Sequence, residues 1–141
     1  MTARRTSESY AQRLIAVESR AGDSATGGQA AFRVCEKLRR PLITLVGTNG
    51  FRSLLARAVS LAKSEAPWLG GVTINPDGSI SYAPEVEASL DSAEAGRAGA
   101  AVVAELLGLL FSLIGESLTF RVLQGVWPKT LAQPLKIEDQ S

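Results

Sequence analysis

The chain has no histidine, a single cysteine (Cys35) and an aromatic fraction of only 6% in 141 residues. Without imidazole it has no histidine general base, no Ser/His/Asp or Cys/His nucleophile system and no zinc site of the usual His/Cys kind. No catalytic, metal-binding or cofactor-binding residue is therefore assigned, and the chain reads as leaning away from an enzyme. A lone thiol has no partner for an internal disulfide, which favours a reducing cytoplasm. Strong net charge is also missing: the balance is +1 and the isoelectric point 7.9, with no aromatics interleaved among the basic residues, so a nucleic-acid partner is not expected. The start, Met1 to Tyr10, is polar and carries Glu8, so no secretory signal is expected there.

What is present is an ordinary globular composition, 45% apolar and 21% charged. A chain of this length buries about two thirds of its surface on folding, enough for one core without staples. The longest apolar stretch, Ala98 to Phe120, has the length of a membrane span but is interrupted by Glu105 and Glu116. Membrane association is accordingly the third functional reading, behind two soluble ones. Charge is divided unevenly along the chain. Residues 1–66 hold eleven Lys/Arg against five acids, and residues 67–141 hold four against nine. Such halves attract each other within a fold or across a dimer, or leave a basic face for an acidic partner.

Periodicity organises most of the chain as helix. From Ser7 to Arg20 the residues Tyr10, Ala11, Leu14, Ile15 and Val17 recur at helical spacing, with Glu8, Arg13, Glu18 and Arg20 largely off that face. The segment Ala21 to Gly28 reads as a flexible connection. Ala31, Val34, Cys35, Leu38, Leu42 and Leu45 form the apolar stripe of a second helix, and Pro41 is expected to kink or restart it. The segment Gly47-Thr48-Asn49-Gly50 is expected to break the pattern, with Asn49 or Thr48 available as a cap, and a third helix is expected from Phe51 to before Pro67. Between Val72 and Tyr82 the period changes to two around Asn75-Pro76-Asp77-Gly78, a hairpin signal: proline sets the first corner of a type I turn and glycine takes the positive φ after it. One long helix is expected from about Asp91 to Val126, ended by Trp127-Pro128. The expected fold is mostly α, a helical bundle of about four helices with one small β-hairpin at 72–82. It divides into an N-terminal helix and linker (1–28), a helical core (29–127) and a polar tail (128–141).

Three groups of residues are candidates for function. Arg33, Lys37 and Arg40 recur at i, i+4 and i+7 and, with Arg57, offer a basic surface for an acidic protein partner. In the long helix, Leu106, Gly108, Leu109, Ser112 and Leu113 are candidates for self-association. So wide an apolar arc suggests a second chain, and small residues let helices approach closely. The turn Gly47, Thr48, Asn49, Gly50, Arg52 and Ser53 is a candidate anion site, because a glycine turn opening a helix presents free amides. It is no phosphate loop of the P-loop kind, since Gly47 and Gly50 enclose two residues where four are needed.

Residues Glu36 to Gly47 (EKLRRPLITLVG) locally resemble the phosphoacceptor box of sensor histidine kinases, with Leu38, Arg39, Pro41, Leu42 and Gly47 matching. Glu36 stands where that family has its phosphorylated histidine, so the chemistry does not carry over. The resemblance implies only a proline-kinked helix in a dimeric bundle. The leading expectation is a non-catalytic cytoplasmic interaction or scaffold protein, a homo-oligomer and most simply a dimer. The alternative is a small-molecule or anion-binding protein using Gly47–Ser53.

Overall fold

The computed structural model describes residues 2–21, 27–64, 72–82 and 92–131. Among these are four helices and one hairpin: α1 (Thr2–Ala21), α2 (Gly27–Ala62), β1 (Val72–Ile74), β2 (Ile80–Tyr82), α3 (Ser92–Ile114) and α4 (Glu116–Val126). The mostly α fold with a small hairpin is as the residue periodicity implies.

The core forms where the apolar stripes meet. Tyr10, Ala11 and Leu14 of α1, Leu38, Leu42, Phe51 and Leu55 of α2, and Val102, Val103, Leu106, Leu107 and Leu110 of α3 are all buried. The apolar α3 is the centre of the bundle, packing chiefly on α2 and also on α1 and α4. Its segment Arg97–Ile114 has a mean hydropathy of 1.8, and 44% of it is buried inside the chain. Tyr10 stands edge-on to Phe111, with ring centroids 6.3 Å apart, and lies tilted against Phe120 at the same distance, tying α1 to α3 and α4. The core continues past α4 through Trp127 to Leu131, which is fully buried although it falls in the segment read as a polar tail. Residues 132–141, like the acidic 83–91 and the linker at 22–26, lie outside the described residues.

Two boundaries differ from the expectation. The second and third helices join as the two limbs of α2, and the break between them falls at Gly47 (φ 83, ψ 162), within the expected Gly47–Gly50 segment, while the kink expected at Pro41 does not form. Proline removes one amide and crowds one carbonyl, a disturbance a long packed helix absorbs. Gly47 instead adopts a left-handed φ that a side-chain-bearing residue rarely takes, so it turns the axis outright. The expected single helix 91–126 is likewise two, because Gly115 (φ 87, ψ 160) breaks it with nearly the same dihedrals. Thr119 donates through its hydroxyl to the Gly115 carbonyl (2.8 Å) and is fully buried.

The hairpin has the expected register, Val72 opposite Tyr82 and Ile74 opposite Ile80. The Gly78 amide donates to the Asn75 carbonyl (2.9 Å) and the Asn75 amide to the Ser79 carbonyl (2.8 Å), a type I turn followed by a left-handed glycine. Asp77 Oδ1 accepts from the Ser79 amide (2.9 Å) and hydroxyl (2.6 Å), fixing the corner. Two strands alone are marginal, so the hairpin leans on α2. A Cβ on Gly78 would come within 2.9 Å of the Phe51 ring, and Arg39 of α2 donates to the Asp77 carbonyl (3.3 Å).

Candidate functional site

Two residues of the candidate basic face are held by one acid. Glu18, placed off the apolar face of α1 by its charge, is only 1% exposed. Its Oε2 accepts from Lys37 Nζ at 2.7 Å and from the Trp127 indole at 2.9 Å, while Arg33 donates to its backbone carbonyl at 3.0 Å. One carboxylate thus ties the end of α1, the start of α2 and the turn after α4, residues 109 apart in sequence. Burial pushes the carboxyl pKa up. The hydrogen bonds from Lys37 and Trp127, with the charges of Lys37 and Arg33, outweigh it and hold the group below its ordinary value. Oε1 is buried with no donor. Of the four candidate partner-binding residues, Arg33 and Lys37 are engaged here, and Lys37, Arg40 and Arg57 are exposed. The signal for Glu18 was present in the sequence: it sits at i+4 from Leu14 and i+7 from Ala11, in line with the buried stripe.

The self-association candidates also divide. Leu106 is fully buried in the chain's own core, which corrects its reading as an interface residue: α2 and α1 supply the cover that a second chain was expected to give. Gly108 faces Ser7 of α1, where an added Cβ would lie 3.8 Å from its hydroxyl, so the close approach it permits is within the chain. Leu109 packs half-buried against the core. Ser112 and Leu113 remain outside, Leu113 at 58% exposure, and beyond the Gly115 elbow Leu118 is 36% exposed.

The Gly47–Ser53 segment is the elbow between the two limbs of α2, and within it only Gly47 leaves helical geometry. Thr48, Asn49 and Ser53 are exposed and Gly50 is half-buried against Val46. Arg52 is drawn aside from them: it lines a cleft of about 330 Å³ between the second limb of α2 (48–62) and β1. Its Nε is buried with no acceptor. Lys63 and Ser60 share that cleft. No cluster of three metal-ligating side chains occurs among the described residues. Cys35 is buried among apolar groups, and burial, with a smaller contribution from Glu36, pushes its thiol up to about 12, the behaviour of an inert core residue.

No protein-family model, curated protein or solved structure matches this chain.

Proposed function

We propose that the chain is a small non-catalytic interaction protein of the cytoplasm that self-associates through the α3–α4 elbow. The observation that carries this reading is the exposure of Leu113 and Leu118 on either side of Gly115, at 58% and 36%. Single exposed leucines are common, but two flanking one bend, with half-buried Ile114 between them, concentrate apolar surface at one place. Exposed Glu116 and Arg121 flank them with opposite charges. A two-fold interface uses the same patch on both copies and so must be complementary to itself, which a patch carrying both signs satisfies. A single cysteine, with no second one to pair with in a disulfide, fits a reducing compartment.

Light scattering across a protein-concentration and salt series tests the proposal. A molar mass near twice the 14.9 kDa chain, persisting in high salt, is expected. The double variant Leu113→Glu/Leu118→Glu should return the mass to that of one chain while leaving the helical circular dichroism unchanged. A single-chain mass at every concentration, or a variant that associates as the wild type does, would overturn it.

A further inference from the structure

The cleft beside β1 is separate from the elbow, since no residue of α3 or α4 lines it. Arg52, Ala56, Val59, Ser60 and Lys63 stand at i, i+4, i+7, i+8 and i+11, one face of the second limb of α2. The opposite wall is Val72 and Ile74, which alternate to the same side of β1, while Thr73 between them is exposed. Four of the seven lining residues are therefore apolar, and the polar ones are two cations and a hydroxyl. The charged residues of the second limb of α2 and the turn after it (48–64) are Arg52, Arg57 and Lys63, all basic. Arg52 and Lys63 are three turns apart, about 16 Å along the axis, so one head group meets one cation and the apolar wall lies between.

We propose that this cleft binds a small amphiphilic carboxylate of the medium-chain fatty-acid class, its head group on Arg52 and its hydrocarbon on Val59, Val72 and Ile74. The Arg52 guanidinium lines the cleft, and its fork of N–H donors matches the two oxygens of a carboxylate. At about 330 Å³ the cleft is at the small end of ligand sites, room for a short chain and not for a lipid with two tails. Inorganic phosphate would satisfy Arg52 and leave the apolar wall uncovered.

The experiment is a titration of the full-length ¹⁵N-labelled protein with octanoate, acetate, octanol and inorganic phosphate, read on the backbone amides and the arginine Nε–H signals. With octanoate, saturating shifts are expected at Val72, Ile74 and the Arg52 Nε–H. Acetate, octanol and phosphate should each bind about tenfold or more weakly, having only half the ligand's chemistry. Arg52→Gln should weaken octanoate by about tenfold or more. Ser60→Trp, a substitution at an exposed helix position that fills the cleft, should abolish the shifts with the fold intact. Octanoate shifts that are absent at millimolar concentration, that fall at Leu113 and Leu118 instead, or that survive both substitutions would overturn the proposal. Phosphate or octanol binding as tightly as octanoate would overturn it equally.

Discussion

Replacing Glu18 separates the contributions that hold three distant segments together. Glu18→Ala strips the acceptor from the Trp127 indole, itself buried, and an orphaned buried donor costs about 1–3 kcal/mol. It also removes one buried methylene, about 0.8 kcal/mol. Breaking a buried ion pair costs about 3–5 kcal/mol when the surviving charge is stranded, but Lys37 is 46% exposed and turns to water, so little of that penalty applies. Oε1, buried with no donor, offsets part of the loss when it goes. The expected total is about 3 kcal/mol, or roughly 10 °C in Tm for a chain of this size. Glu18→Gln keeps the shape and an acceptor for Trp127 and loses only the charge, so about 1 kcal/mol is expected. Urea unfolding followed by far-ultraviolet circular dichroism measures both. The pH dependence supplies the sign: a carboxyl held below its ordinary value stabilises the fold above about pH 4.3, and that contribution fades as the pH falls through the folded-state pKa. The gap between wild type and Glu18→Gln should therefore be full at neutral pH and close only below about pH 4. Alanine no worse than glutamine would refute the role of the indole bond. A gap already closed at about pH 6 would mean that burial, not the cations, governs the carboxyl.

The glycines give a paired prediction. Gly47→Ala meets nothing within 4 Å and should cost only the strain of a positive φ with extended ψ, about 1–3 kcal/mol, whereas Gly78→Ala adds a 2.9 Å collision with Phe51 to its own positive-φ strain and should cost about 1–3 kcal/mol more. Equal losses in thermal unfolding would show that the Phe51 ring yields freely. Cys35 should resist thiol reagents in the native state and react fully once urea unfolds the chain; rapid native labelling would contradict its burial and raised pKa.

Local chemistry was enough for the hairpin, because Asn75-Pro76-Asp77-Gly78 encodes its own dihedrals and the alternation of Val72, Ile74 and Ile80 sets which face packs. The elbows were less legible. The break at Gly47–Gly50 was readable, but the kink expected at Pro41 does not form and Gly115 was not read as a break, since glycine takes a positive φ only where the packing of both limbs requires it. Arg52 carried no signal for its cleft, because its neighbours Val72 and Ile74 come from another element.

By itself the sequence determined the helical class, the hairpin, the apolar character of α3 and the exclusion of histidine chemistry, all of which follow from residue type and local spacing. Tertiary structure alone decided where charge and apolar surface end up. It buried Glu18 between Lys37 and Trp127, covered Leu106 with the chain's own helices and left Leu113 outside. Periodicity specifies which residues share a face, but only the packing of one face on another decides which of them meets water.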